Sequence, residues 1–216
     1  IDRFGLMRDL RLHRRRAPGT TVMAALGASP HFGAAARNDS KGCGTIMRVA
    51  PVAFVTPERV NADQVRDWAI ETSALTHGHR TGQEAAAAWA LILRAVLEGA
   101  AVEEAAGAQV GRFGAETDQA LRAALTAPRD GRPETVETLG GGWVAEEALA
   151  IALHAVLAGQ TLEERLRIAA VHSGDSDSTA AIAGNLAGLL ETEAVMAHPW
   201  RRQVECGDLI DRLARD

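Results

Sequence analysis

The chain has 216 residues, enough for one large domain or two small ones. Lys and Arg total 23 against 28 Asp and Glu, giving a formal net charge of -5, which argues against a general binder of nucleic acid or of anionic membranes. Two cysteines, Cys43 and Cys206, are too few for a disulfide framework or a Cys-rich zinc site. The longest apolar run, residues 85–93, is about half the length of a transmembrane helix, and residues 1–16 do not show the apolar stretch of a signal peptide, so we expect a cytoplasmic protein.

Helix-type patterns follow one another along the chain, and period-2 alternation is almost absent. The only β-like stretch, residues 49–55, is short and broken by Pro51. Residues 56–58 and 61–63 are typical of helix starts, and Gly99 and Gly159 of helix ends. The predicted helices cover residues 3–16, 58–75, 83–98, 115–126, 143–158, 161–171, 178–191 and 203–214.

Three segments are apolar on nearly every face, with Arg94, His154 or Asn185 as the only polar side chain of each. Helices of this kind are enclosed by other helices, so residues 85–96, 148–158 and 180–190 predict a multilayer core. We expect His154 and Asn185 to be buried with their hydrogen bonds satisfied. Gly184 and Gly188 would let a neighbouring backbone approach closely. With no linker in the chain, residues 1–216 are predicted to form a single domain, with the longest loop at residues 127–142.

A basic cluster near the start of the chain comprises Arg11, His13, Arg14, Arg15 and Arg16. It could be a phosphate-binding patch or the solvated end of a helix. The acidic composition of the whole chain favours the solvated helix end.

The acidic turn, residues 172–179 with the sequence HSGDSDST, lies directly before an apolar helix. Asp175, Asp177 and the Ser178 hydroxyl offer the hard oxygen ligands that Mg²⁺ and Mn²⁺ prefer. The alternative is that Asp177 or Ser178 only caps the helix. Polar residues at the mouth of an apolar helix are costly to bury, and a bound metal would offset that cost, so we favour the metal site.

Three further motifs carry weaker signals. The glycine loop, residues 41–48 (KGCGTIMR), would let backbone N–H groups approach a phosphate, or it is a plain tight turn. We expect Cys43 in this loop to be a packed side chain rather than a nucleophile. His77 and His79 lack a third zinc ligand nearby, so we expect a polar turn that contacts a ligand. The tryptophan loop, residues 140–143 (GGGW), is either a packing corner or a binding loop.

Taken in order, the segments KGCGTIMRVAP, ALTHGH, GGGWVAEEALAIAL and VHSGDSDSTAAIAGNLAG resemble the ADP-ribosylglycohydrolase family, which includes the dinitrogenase reductase-activating glycohydrolases. The segment HRRRAPGTTVMAAL resembles the family's approach to its glycine loop. The likeness extends over nearly the whole chain, and HSGDSDST is its most specific element.

The resemblance implies an all-α, multilayer orthogonal helical domain with two Mg²⁺ ions, sometimes Mn²⁺, at the bottom of a cleft. It implies hydrolysis of the N- or O-glycosidic bond between ADP-ribose and a modified protein side chain or small group. The implied metal ligands are Asp175, Asp177 and Ser178. The implied ADP-ribose contacts are Ser173 and Gly174 at the ribose, Gly42, Gly44 and Thr45 at the diphosphate, and His77, Gly141, Gly142 and Trp143 along the rest of the cleft.

The sequence departs from the family in one respect: the Thr/Ser-Asp-Asp motif and the Gly-Asp-Ala-Gly-like opening do not occur here. The family's general acid/base carboxylate belongs to the same region. We therefore expect this chain to be the C-terminal two-thirds of a family member, either cleaved, truncated or separately encoded, and inactive alone. If it is separately encoded, its own N-terminal segment is expected as a partner chain. The alternative is a non-catalytic ADP-ribose-binding or structural relative, like the lens crystallins. The intact acidic turn favours the enzyme.

Overall fold

The computed structural model describes residues 6–14, 16–56 and 58–215. Over these residues the chain is helical, with one isolated antiparallel bridge between Gly42 and Val144, and the all-α prediction is confirmed. Short 3₁₀ turns occupy Leu6–Arg8, Leu10–His13, Ile46–Arg48 and Pro199–Arg202. The α-helices of the described residues are α1 (Thr20–Ala28), α2 (Ala50–Ala53), α3 (Ala62–Ala74), α4 (Arg80–Leu97), α5 (Val102–Gly107), α6 (Ala115–Thr126), α7 (Pro133–Glu137), α8 (Ala145–Ala158), α9 (Leu162–Ala170), α10 (Ser176–Leu190), α11 (Thr192–Ala197) and α12 (Gly207–Leu213).

Two helices, α4 and α8, pack against each other at the centre of the fold. Residues 84–94 of α4 and 148–156 of α8 are all buried, as their apolar sequences predict. Helices α2, α3 and α5 cover α4, helices α6 and α9 cover α8, and α10 contacts both central helices. Because alanine is the commonest residue in the buried stretches, the core is filled by close approach of backbones rather than by large side chains.

Arg94 is a charged residue near the end of the buried part of α4, and its hydrogen bonds explain why it is there. The guanidinium is nearly fully buried and donates to the carbonyl oxygens of Ala53 (3.1 Å), Val55 and Val60, and to the Glu98 carboxylate (2.5 Å). These carbonyls belong to the end of α2 and the segment that follows it. Arg94 therefore joins that segment to the central helix by satisfying backbone groups that would otherwise be buried without partners.

The predictions for the other two lone polar residues are wrong. His154 is fully buried, but neither ring nitrogen has a hydrogen-bond partner within the described residues. Asn185 donates to the Ala181 carbonyl (3.1 Å), while its side-chain oxygen is buried without a partner among the same residues.

Helix α10 is covered by other helices on one side only. The prediction that residues 180–190 are enclosed on all sides is therefore wrong. Ala181 is exposed, and Gly184 and Gly188 are half-buried. The closest atoms to a Cβ placed at these two glycines would be the side chains of Leu166 and Val195, so no described backbone approaches them. The face that packs on α8, α9 and α4 is the buried one.

The predicted helix boundaries are closest for the buried helices, and α6 coincides with residues 115–126. Asn61 caps α3 through a capping box with Gln64, Gly159 directly follows α8, and Gly99 lies two residues beyond the end of α4, as predicted. Within the β-like stretch at residues 49–55, Ala50–Ala53 instead form α2, with Pro51 in its first turn, where proline is tolerated. Helices α1, α5, α7 and α11 were not predicted.

The predicted first helix, residues 3–16, is not an α-helix where the structure describes it. The Asp9 carboxylate accepts the Arg11 backbone N–H (3.1 Å), which starts a new 3₁₀ turn instead of continuing a helix. The Arg11 guanidinium also contacts Asp208 (2.6 Å), and Arg16 pairs with Glu205. Two arginines of the basic cluster are therefore paired with carboxylates. This pairing supports neither the phosphate-binding patch nor the solvated helix end. Residues 3–5 and 15 lie outside the described residues. No described helix has the length and apolarity needed to cross a membrane.

Candidate functional site

The glycine loop, the tryptophan loop and the acidic turn meet at one place, although they are far apart in sequence. The Cys43 N–H donates to the Trp143 carbonyl (3.1 Å), and the Asp175 N–H donates to the Gly141 carbonyl (2.8 Å). The Cys43 thiol donates to Asp175 Oδ2 (3.1 Å). Each pair of segments is therefore joined by a hydrogen bond, and the sequence-predicted site residues lie around one junction.

The acidic turn forms the N-terminus of α10. Asp175 is the N-cap residue, but its carboxylate does not cap the helix. Asp175 and Ser178 are buried, whereas Asp177 is exposed on the same turn. The alternative in which Asp177 or Ser178 is the N-cap is wrong, because both already lie inside the helix.

His172 and Thr179 hold the acidic turn in shape, a role that the sequence did not indicate. The Gly174 N–H donates to His172 Nδ1 (3.1 Å), and His172 Nε2 lies 2.9 Å from Thr179 Oγ1. The Thr179 hydroxyl in turn reaches the Ala169 carbonyl at the end of α9 (2.7 Å). A side chain at Gly174 would overlap the Gly141 carbonyl, so only glycine permits the contact between the acidic turn and the tryptophan loop.

The backbone of the glycine loop is partly occupied by internal bonds. The Thr45 N–H donates to the Gly42 carbonyl (3.4 Å), and the Cys43 N–H is taken by the tryptophan loop. The Gly44 N–H has no hydrogen-bond partner within the described part of the chain, and it is the donor that a phosphate oxygen could use. Arg48 anchors the other end of the loop through the carbonyls of Gly44 and Thr72 and the Thr76 hydroxyl (2.6 Å).

His77 lies beneath the glycine loop and is almost completely buried. A Cβ at Gly42 or Gly44 would come within 3.2 Å of its ring, so these two glycines are also needed for packing. The Thr76 hydroxyl accepts from the Arg48 guanidinium (2.6 Å) and is also hydrogen-bonded to His77 Nδ1 (2.8 Å). Burial, followed by the charge of Arg48, lowers the pKa of His77 to about 4.

His79 has a structural role in this turn. Its Nδ1 accepts the Thr81 N–H (3.1 Å), which makes it the N-cap of α4. The Gln83 side chain donates to the His77 carbonyl (3.0 Å) and fixes the turn from the helix side. Of the two histidines, only His77 contacts the glycine loop.

The tryptophan loop is held from below by Glu147. The Glu147 carboxylate accepts the N–H groups of Gly141 (3.0 Å) and Gly142 (3.1 Å), so neither amide is free to donate to a ligand. The Trp143 side chain, in contrast, is 64% exposed. What this loop offers to a ligand is therefore an aromatic surface rather than backbone donors.

Cys43 is buried in the junction, as the sequence interpretation of a packed side chain expects. Burial and the neighbouring Asp175 carboxylate raise the pKa of the thiol to about 12. The thiolate is the nucleophilic form, so Cys43 is unreactive at neutral pH. Its thiol instead holds the Asp175 carboxylate in place.

The chemistry of the acidic turn suits a hard divalent cation, although the ligand set is partial. Within the described residues the only hydrogen bond recorded to the Asp175 carboxylate comes from the Cys43 thiol, which leaves most of its lone-pair sites available. Asp177 and Ser178 add a second carboxylate and a hydroxyl within the same helical turn. No group of three or more His, Cys, Asp or Glu side chains suited to a metal occurs among the residues described.

A cavity of about 420 Å³ lies elsewhere. It is lined by α1 and by residues 28–30 and 34–38, and it contains no residue of the acidic turn. We place the candidate site at the junction because the polar groups converge there. Four residues support the site in roles that the sequence does not indicate, although they lie within the motif segments: Arg48, Glu147, His172 and Thr179.

Comparison with known proteins assigns the family. The model of the ADP-ribosylglycohydrolase family matches residues 3–216. Among solved structures, a chain titled "ADP-ribosylglycohydrolase-related protein complex" aligns at 26% sequence identity with a TM-score of 0.75, covering 97% of this chain and 70% of that chain. No curated protein matches significantly. With its motif segments assembled into one site and a family match over nearly its full length, the chain belongs to the ADP-ribosylglycohydrolase family.

Proposed function

We propose that this protein takes part in the Mg²⁺-dependent hydrolysis of the N- or O-glycosidic bond between ADP-ribose and a modified protein side chain or small group. The observation that carries the proposal is the contact of 3.1 Å between the Cys43 thiol and Asp175 Oδ2. This contact puts the loop suited to phosphate next to the turn suited to a divalent cation. A substrate with a diphosphate joined to a ribose needs both features side by side.

Each segment of the junction has a distinct role in this proposal. The Gly44 N–H binds the diphosphate, with Gly42, Thr45 and His77 shaping the loop around it. Ser173 and Gly174 lie against the ribose. The exposed Trp143 ring packs on the remaining part of the ADP-ribose, and Gly141 and Gly142 set its position.

Asp175, Asp177 and Ser178 would hold the metal, which is Mg²⁺ or Mn²⁺. A divalent cation bound there supplies charge stabilisation and a more acidic bound water. The chain's own contribution is to fix the carboxylates, since Asp175 is held by Cys43 and by the backbone contact with Gly141. Three side chains do not fill the coordination shells of two six-coordinate ions. We therefore propose that further carboxylates, including the general acid/base, come from another segment of the protein or from a separate chain.

A second candidate is a non-catalytic ADP-ribose-binding relative. The observation that favours it is the limited ligand set: one buried carboxylate, one exposed carboxylate and one hydroxyl. In this case ADP-ribose would bind to the glycine and tryptophan loops, and the acidic turn would not support turnover.

The test combines titration calorimetry with a hydrolysis assay. ADP-ribose and Mn²⁺ are titrated into the parent protein and into the variants Asp175→Asn and Glu58→Gln. Glu58 is an exposed carboxylate with no ion pair among the described residues, so it controls for the loss of one negative charge. We expect Asp175→Asn to lose Mn²⁺ binding and to keep ADP-ribose binding, while the control keeps both. Equal Mn²⁺ affinity in all three proteins would refute the metal assignment.

Hydrolysis is then measured as ADP-ribose released from arginine-linked and serine-linked peptides and from O-acetyl-ADP-ribose. Turnover of any of these that requires Mg²⁺ and Asp175 supports the enzyme. ADP-ribose binding without turnover supports the non-catalytic candidate, provided that turnover is also absent after the segment that carries the further carboxylates has been added. Failure of the parent to bind ADP-ribose would refute both.

A further inference from the structure

The chain contains one lysine among its 23 Lys and Arg residues, and that lysine opens the glycine loop. The Lys41 ammonium donates to Glu116 Oε1 (2.9 Å) and to Glu146 Oε1. The other oxygen of Glu116 accepts the Thr81 hydroxyl (2.5 Å). A single ammonium group thus connects a carboxylate on α6 to a carboxylate on α8, and Thr81 adds α4 to the same network.

The backbone at Lys41 is fixed at the same place. Its carbonyl accepts the Ala145 N–H at the start of α8 (2.8 Å). A Cβ at Gly82 would come within 3.1 Å of the Lys41 Cα, so α4 packs directly on the loop here. The first residue of the glycine loop is therefore held by main chain and side chain together.

Glu146 depends on this lysine. It is 8% exposed, and its second oxygen, Oε2, is buried without a hydrogen-bond partner among the described residues. Lys41 is the cation that the structure places against it. Hydrogen bonds from Lys41 to Glu146 and then Glu116 raise the pKa of the ammonium, so it stays charged. An ammonium is more compact than a planar guanidinium, so an arginine at this position would need more room between the two carboxylates.

We propose that Lys41 is a positioning residue of the site: its ammonium, bridging Glu116 and Glu146, fixes the glycine loop at the meeting point of α4, α6 and α8. The loop residues 42–45 then face the ligand in one arrangement. The effect of Lys41 on ADP-ribose binding rests on the proposed function. Its effect on the conformational order of the glycine loop rests only on the contacts of Lys41.

The first experiment does not use ADP-ribose. Amide hydrogen exchange is compared between the parent, Lys41→Met and Arg66→Met. Arg66 is a cation on α3 that also bridges two carboxylates, those of Asp63 and Asp67, so its removal is a matched control far from the loop in sequence. We expect exchange at residues 42–47 to be about tenfold faster in Lys41→Met, with α9 and the control variant unchanged. Unchanged exchange at residues 42–47 would overturn the proposal.

Lys41→Met leaves the buried Glu146 carboxylate unpaired and can therefore unfold the protein. The double variant Lys41→Met/Glu146→Gln removes the unpaired charge and keeps the shapes of both side chains. If the single variant unfolds, the exchange comparison is made with the double variant. We expect it to be folded with a mobile glycine loop, and a folded double variant with parent-like exchange would overturn the proposal.

The second experiment measures ligand affinity. We expect ADP-ribose to bind about tenfold more weakly to the Lys41→Met or double variant, with Mn²⁺ affinity unchanged. A merely structural role would lower both affinities together, and that result would overturn the positioning role. Lys41→Arg should restore only part of the ADP-ribose affinity, whereas full restoration would overturn the requirement for an ammonium. If the parent itself does not bind ADP-ribose, the proposed function fails, and the exchange measurement alone decides the role of Lys41.

Discussion

Acidification tests the environment of His77 beneath the glycine loop. In the folded protein its imidazole is neutral at pH 7, because burial and the nearby Arg48 charge disfavour the protonated form. Its pKa is about 4, against an ordinary value of 6.5. In the unfolded chain the same ring becomes charged once the pH falls below 6.5. Between these two values the unfolded state binds a proton that the folded state does not, so stability falls as the pH falls.

The size of the effect follows from the difference between the two pKa values. At pH 7 the ring is mostly neutral in both states, and the contribution is close to zero. At pH 5 the unfolded ring is almost fully protonated and the folded ring is almost fully neutral. With about 1.4 kcal/mol for each pKa unit, His77 lowers the free energy of unfolding by about 2 kcal/mol between pH 7 and pH 5. Below pH 4 the ring is charged in both states, and the loss is complete.

The assay is urea denaturation at pH 7, 6 and 5, with the pH dependence compared within each protein. The variant is His77→Gln, and the control is His31→Gln, which removes an exposed histidine from a loop. We expect the parent and the control to lose about 2 kcal/mol more than His77→Gln on acidification. His154 also has a lowered pKa through burial, but it is present in all three proteins and cancels. An equal loss in the parent and in His77→Gln would show that the ring is not held neutral.

Three other predictions concern the site and the core. In the complete protein, Asp175→Ala or Asp177→Ala should abolish Mg²⁺ binding in calorimetry and lower hydrolysis by several orders of magnitude, and unchanged affinity in either variant would refute the role of that residue. Gly44→Val should weaken ADP-ribose binding and leave Mg²⁺ affinity intact, because a side chain there blocks the approach of the diphosphate and crowds the His77 ring. An ADP-ribose affinity equal to that of the parent would show that the loop is only a turn. Arg94→Met should lower the free energy of unfolding by about 3 kcal/mol, because it leaves buried carbonyl groups without hydrogen-bond donors. The control Arg122→Met removes an exposed arginine and should lower it by less than about 1 kcal/mol. Similar losses in the two variants would contradict the role of Arg94 in satisfying these carbonyls.

The buried helices could be predicted from sequence because their composition leaves few alternatives. Residues 85–93 and 148–153 are apolar on every face, which favours burial on all sides, and the structure places them in α4 and α8. The sequence does not predict helix α1. It has no charged residue either, but most of its residues are exposed, and its sequence shows no contrast between a polar and an apolar face.

The residues of the candidate site could be proposed from motifs, but not the way in which they are held together. The contact between Cys43 and Asp175 joins positions 132 residues apart, and no local pattern indicates it. In the same way, the sequence does not show that Glu147 occupies the amides of Gly141 and Gly142. Such contacts depend on where helices pack, which is a property of the whole chain.

The antiparallel bridge between Gly42 and Val144 has a consequence for how ligands are selected. Together with the bonds from Cys43 N–H to Trp143 and from Ala145 N–H to Lys41, it joins the backbone of the glycine loop to that of the tryptophan loop. Neither loop can then move without displacing the other. A ligand that contacts both loops, as the proposed function requires, would meet them in a fixed arrangement, so little conformational entropy would be lost on binding. We therefore expect a substitution in one loop to alter ligand affinity through the other loop as well.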